Sequence, residues 1–259
     1  FSGMYLRKYS ESEDAWAPYI SSPNVIFSPA EGFHLWTYNE GVKPVYKGII
    51  NHGTIGPIQL LHENKGFTLI GNPYPSAIDW AASEGWTKNN VAPTIYLWNG
   101  SNWVIYNSYT GVGTGGFGGR YIALGQGFFV QSLPGGGSIT LDKPIRLHNP
   151  TPFKNEVNLQ QAVHILVDGD EYTDEAIVMV NSMSDEVYDY FLDAVKLYGG
   201  SEAPQIYTKK QDNNLAIHNI RESGSLHGQY VFFETSLEKD YKIHFQNTTD
   251  EELQMLDLK

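Results

Sequence analysis

The segment Trp98-Asn-Gly-Ser-Asn-Trp103 puts two indoles at the ends of a four-residue polar turn. If Gly100 and Ser101 form a two-residue hairpin turn, Asn99 pairs with Asn102 and Trp98 lies opposite Trp103, so both rings leave one face. Strand alternation adds Tyr96 and Ile105 to that face. Aromatic rings stack on the apolar C–H faces of sugars, and amides orient hydroxyl groups. Tyr96, Trp98, Asn99, Asn102 and Trp103 therefore form a candidate glycan-binding set. The competing arrangement packs the tryptophans beneath the glycine-rich loop 111–119, because large aromatics are mostly buried.

A second constellation is Asp168-Gly-Asp170-Glu-Tyr-Thr-Asp174-Glu175. Closely spaced carboxylates around a glycine suit calcium, with Asp168, Asp170 and Asp174 as candidate ligands; no other cofactor is expected. The segment lacks the full EF-hand spacing and its terminal glutamate, and the alternative is a solvated loop between two strands. In Gly71-Asn-Pro-Tyr-Pro-Ser, two prolines fix two φ angles and remove two donors, which predicts a stiff corner after a strand. The corner either aims Asn72, Tyr74 and Asp79 at a ligand or locks a connection. An aromatic residue before Pro75 makes that bond a candidate for the cis form.

Other signatures fail on context. Gly113-Thr-Gly-Gly-Phe-Gly118 matches G-x-G-x-x-G without the preceding strand and following helix that dinucleotide binding needs, and it reads as a flexible loop. His62-Glu63 has no second zincin histidine, and G-x-S-x-G is absent. Twenty-nine acidic residues do not single out a glycosidase pair. The expectation is a chain with no catalytic residue and no intrinsic hydrolase activity.

The elements that must carry these side chains are strands. Of 259 residues 41% are apolar, 14% aromatic and 26 are glycine, with four methionines, a balance that favours strands and turns. Short apolar and aromatic runs bounded by Gly, Pro, Asn and Ser recur throughout, which predicts an all-β chain of two β-sandwich domains with at most one or two short helices. Loss of apolar character around Pro150 places the boundary there, giving domains 1–149 and 150–259. The one helix candidate is 77–84, where Ser76 and Asp79 have capping-box spacing. The first domain reads as an internal duplication: a strand, a polar turn, W-x-x-Y and a G-F strand occur around Tyr9, Trp16 and Gly32, and again around Trp98, Trp103 and Gly127. No run approaches eighteen apolar residues, so no membrane insertion is expected. Seventeen basic against 29 acidic residues leave a formal charge of −12, which argues against nucleic acid as a partner. Without cysteine there is neither a disulfide nor a thiolate metal site.

GFTLIGNPYPSAIDW (66–80), TIYLWNGSNWVIYN (94–107) and YIALGQGFFVQS (121–132) resemble a module of large secreted Bacteroidetes proteins, many of them type IX secretion cargo. DEAIVMV (174–180), YFLDAVKLYGGSEAPQIYT (190–208) and NLAIHNI (214–220) resemble the domain that often follows it. The resemblance implies an extracellular or cell-surface, all-β, non-catalytic module that serves adhesion, polymer or glycan binding, or presentation of neighbouring domains. A polysaccharide-acting enzyme and a pure spacer are the alternatives. Such proteins usually end in a sorting domain, which the sequence lacks. The chain is therefore expected to be a fragment whose second domain is truncated, with the edge at 253–258 covered by further residues or a partner chain.

Overall fold

Alternating and continuous apolar runs become strands almost everywhere in the computed structural model, which describes residues 4–21, 26–38, 47–115, 119–147, 162–221 and 229–247. The chain is all-β. The boundary segment around Pro150 and the strand expected at 253–258 lie outside the described residues. Contacts divide the chain into two units, Phe1–Leu97 with Arg120–Pro152 and Trp98–Gly119 with Phe153–Lys259. Segment 98–119, which a single cut near Pro150 would leave in the first domain, thus packs with the second.

In the first unit, strand Gly127–Ser132 lies between Phe67–Gly71 and Val91–Trp98, antiparallel to both. Its apolar run Phe128-Phe-Val130 marks burial on both faces: Phe128 meets Trp80 at 6.1 Å between ring centroids, while Phe129 faces Phe67 at 6.0 Å. A second sheet sets Gly137–Leu141 between Ile55–Leu60 and Trp86–Asn89. The stretch 77–84 is not helical, contrary to the capping-box spacing. Ala77–Asp79 is a strand in which fully buried Ile78 pairs with Ile122 on one side and Arg146 on the other. Long-range sheet partners thus outweigh a weak local helix signal. The helical content among the described residues is one 3-10 turn, Lys143–Ile145, with Asp142 at its N-cap. The cis peptide among them is Gly56–Pro57, so the bond before Pro75 is trans.

The repeated motif order has a repeated register. Arg7, two residues before Tyr9, stands opposite His34, two after Gly32; Leu97, one before Trp98, stands opposite Phe128, one after Gly127. Each first strand then turns back on an aromatic pair, Tyr9 with Trp16 at 5.6 Å and Trp98 with Trp103 at 5.2 Å.

The second unit is built on a sheet ordered Val231–Glu234, Gln205–Lys210, Asn213–Ile220, Thr173–Val180, Ala162–Asp168, Lys242–Asn247, with Ala194–Val195 also pairing with Asn213–Ile220. Its pairs are antiparallel except Thr173–Val180 with Asn213–Ile220. Val163, Ile165, Val167, Ala176, Val178, Ile206 and Ile220 form one core.

Between these strands sit buried ionisable groups. Lys210 Nζ donates to Asp193 Oδ2 at 2.9 Å, Ser184 Oγ at 3.0 Å and the Asn219 carbonyl at 3.0 Å. His218, 4% exposed, lies 3.1 Å from Thr208 Oγ1; burial, then the Lys210 charge, pushes its pKa down to about 4. The unfolded imidazole titrates near 6.5. Between those values the unfolded chain binds more protons, so the stability linked to His218 is whole above pH 6.5 and is lost as pH falls through 4. The difference is about 3 kcal/mol. Urea unfolding of wild type and His218→Gln between pH 7 and 4 should show that extra loss in wild type alone; equal pH slopes would refute it.

Candidate functional site

The open aromatic surface of the first unit is built on strand Met4–Arg7. One neighbour is His34–Thr37, with Tyr5 opposite Trp36 and Arg7 opposite His34. On the other side, Ala17 N–H donates to the Lys8 carbonyl at 2.9 Å and Ile20 N–H to the Leu6 carbonyl at 2.8 Å. Strand alternation turns Leu6 inward, where it is buried, and places Tyr5 and Arg7 on the opposite face with His34 and Trp36. Three segments thus present one ribbon of rings. Tyr5 contacts Tyr19 at 5.5 Å, Trp36 at 5.4 Å and Tyr38 at 6.3 Å, and Trp36 contacts Tyr38 at 4.9 Å. Tyr5, Tyr19, Trp36 and Tyr38 are 39, 48, 44 and 72% exposed. Isolated exposed aromatics need no explanation, but a contiguous patch does.

The ribbon runs inward to the core. Arg7 lies 5.0 Å over the Trp16 ring and 5.2 Å over Tyr19, a cation–π arrangement that holds its planar guanidinium still. Its Nε–H donates to His34 Nδ1 at 3.2 Å. Burial, then the Arg7 charge, lowers the His34 pKa, which favours the neutral ring whose lone pair this bond requires. Trp16 and Tyr9 then pack on Phe129 at 6.0 and 4.9 Å. The turn 11–14 pins this end: the Glu11 carboxylate accepts the N–H groups of Glu63, Asn64 and Gly66 at 2.9, 2.9 and 2.7 Å. Asp14 accepts from the Tyr9 hydroxyl and pairs with Lys65. The returning strand is pinned at Gly32, where a Cβ would lie 2.6 Å from the Leu69 carbonyl oxygen; only glycine allows this approach.

The residues that the sequence singles out are placed otherwise. The turn forms as expected, with Asn99 N–H donating to the Asn102 carbonyl at 3.1 Å and Gly100 at φ 113°. Trp98 and Trp103 meet edge to face, and Trp98 stays 39% exposed. Tyr96, however, is fully buried against Phe67 and is removed from any open platform. Asn102 is 2% exposed; its Nδ2 donates to the carbonyls of Thr173 and Pro204 at 2.8 and 3.4 Å, and its Oδ1 accepts from Gln205 at 3.0 Å. Asn99 Oδ1 is spent on the turn, accepting from Ser101 N–H at 3.0 Å and Asn102 N–H at 2.8 Å. Trp103 Nε1 donates to the Tyr198 carbonyl at 3.2 Å. The hairpin docks within its own unit.

The acidic residues separate as well. Asp168 Oδ1 accepts from Asp170 N–H at 3.0 Å in a local turn, whereas Asp174 points inward to Lys196. Among the described residues no three His, Asp or Glu side chains are grouped to hold a metal ion. The side chains of the proline corner turn inward: Asn72 Nδ2 donates to the carbonyls of Ser76, Ile122 and Ala123, and buried Tyr74 reaches those of Gly53 and Leu141. Asp79 accepts two 2.8 Å bonds from Arg120 beside an open cleft of about 440 Å³ that also carries Glu84.

The sequence reading missed Trp36 and Tyr38 and did not join Tyr5 and Tyr19 to them. The signal was present in the alternations Tyr5-x-Arg7-x-Tyr9 and His34-x-Trp36-x-Tyr38, which put large rings on one side of each strand. Compared with known proteins, the chain matches no family model, no curated protein and no solved structure.

Proposed function

We propose that the chain is a non-catalytic, glycan-binding module of a secreted or cell-surface protein, and that the ribbon of Tyr5, Tyr19, Trp36 and Tyr38 is its binding surface. The observation that carries this reading is the contiguous exposure of four rings on a sheet face pinned to a rigid core. Exposed rings offer C–H stacking area to pyranoses at little conformational cost, since each is already held by its neighbours. The resemblance of 66–80, 94–107 and 121–132 to modules of secreted Bacteroidetes proteins supports the same address and assigns no reaction.

Affinity electrophoresis and pull-down on insoluble polysaccharides test it. Trp36→Ala is expected to weaken retention about tenfold or more, as removal of a central aromatic anchor does, with the melting temperature nearly unchanged because the ring is half exposed. Trp103→Ala is expected to do the reverse, lowering stability by about 1–3 kcal/mol while retention persists. A wild-type chain retained on no polysaccharide, or Trp36→Ala retained like wild type, would overturn the assignment.

A further inference from the structure

Arg7 is the cation set among these rings, and it is incompletely used. Its Nε–H is taken by His34, its guanidinium carbon lies 5.0 Å from the Trp16 ring centroid and 5.2 Å from that of Tyr19, and no carboxylate of the described residues forms an ion pair with it. The neighbouring acids are engaged elsewhere: Glu31 pairs with Lys8, Asp14 with Lys65, and Glu11 is held by three backbone N–H groups. A guanidinium fixed by stacking presents a planar fork of donors that matches a carboxylate or a sulfate oxygen pair.

Resting on the reading of the ribbon as a glycan-binding surface, we infer that it takes an anionic polysaccharide, with Arg7 pairing the anionic group of a sugar whose neighbours stack on Tyr5 and Trp36. The spacing fits. Tyr5 and Arg7 are two residues apart on one strand face, about 7 Å, so a ring seated on Tyr5 leaves its own substituent or the adjacent sugar's beside Arg7. The net charge of −12 does not forbid this. Charges beyond about 8 Å are screened at physiological ionic strength, and Glu31, Asp14 and Glu11 are neutralised by lysines or bound by backbone donors.

The test needs no variant at first. Polygalacturonate and its fully methyl-esterified form share a backbone and differ in charge, and a sulfated galactan provides the second anion. The wild-type chain should bind the free acid at least about tenfold more tightly than the ester at low ionic strength, and the preference should shrink at high salt. Arg7→Gln should abolish the preference, and Arg7→Lys should restore part of it if the charge alone acts. Melting curves of both variants show whether the stack survives. Preference for the sulfated galactan over the acid would name sulfate as the anion. Equal binding of acid, ester and sulfated galactan would overturn the inference while leaving the ribbon a neutral-glycan surface. Retention on neither, nor on any neutral polysaccharide, would remove the surface reading and the inference together.

Discussion

Replacing Lys196 by methionine is expected to cost the second unit about 3–5 kcal/mol, because it leaves Asp174 buried without its cation. The side chains of the pair are 2% and 3% exposed. Burial pushes the Asp174 pKa up and that of Lys196 down, each opposed by the charge of the other. Asp174 Oδ2 also accepts the Ile206 N–H at 2.7 Å, fixing the start of strand Gln205–Lys210. Lys196→Met leaves that bond in place, so urea unfolding of this variant reads mostly the stranded charge. The double variant Lys196→Met with Asp174→Leu removes both charges and leaves backbone N–H groups such as that of Ile206 without this acceptor, a cost of about 1–3 kcal/mol. It should therefore be more stable than Lys196→Met alone. A double variant as unstable as the sum of the singles would show that the pair contributes through packing rather than charge.

Glu11→Ala should cost the first unit a similar amount, about 3–5 kcal/mol, since three backbone N–H groups lose a charged acceptor together. It should also disorder the surface it supports, because the turn 11–14 carries Tyr9 and Trp16, the rings that seat the ribbon on Phe129. Burial alone would raise the carboxyl pKa, but the N–H groups of Glu63, Gly66 and Asn64 outweigh it and hold it below its ordinary value. The unfolded chain therefore binds this proton first on acidification. The stabilisation is complete above the unfolded pKa of about 4.5 and is lost as pH falls through the lower folded value. Wild type should lose stability on acidification below pH 4.5 more steeply than Glu11→Ala. Glu11→Gln, which keeps an acceptor oxygen but no titrating carboxyl, should lie between them in stability at neutral pH and share the shallower acid limb of Glu11→Ala. Parallel acid limbs in wild type and Glu11→Ala would rule out this account.

The residues nearest one another in sequence were the most legible. Asn99-Gly-Ser-Asn102 closes as its composition requires, since the positive φ at Gly100 and the side-chain acceptor of Asn99 act within four residues. The all-β class follows from strand-length apolar runs, and the shared register of the two G-F strands follows from motif order. The stretch 77–84 shows the limit of local reasoning: a capping-box spacing carries a weak preference, and the ladders that Ile78 makes with Ile122 and Arg146 are set by residues more than forty positions away.

The site was settled in three dimensions. Tyr5, Arg7, Trp36 and Tyr96 all sit on alternating aromatic strands, and nothing in that alternation says which face will be covered. Tyr96 was buried against Phe67, and Asn102 was buried under the chain that donates Gln205 and receives its amide at Thr173 and Pro204. The strand Met4–Arg7 received one neighbour on each edge and kept its aromatic face open. By itself the sequence determined that rings would project in rows from rigid strands, because side-chain direction is a two-residue property of the backbone. Tertiary structure alone decided which row met solvent, because burial depends on the layer packed above a face, and that layer is built from residues distant along the chain.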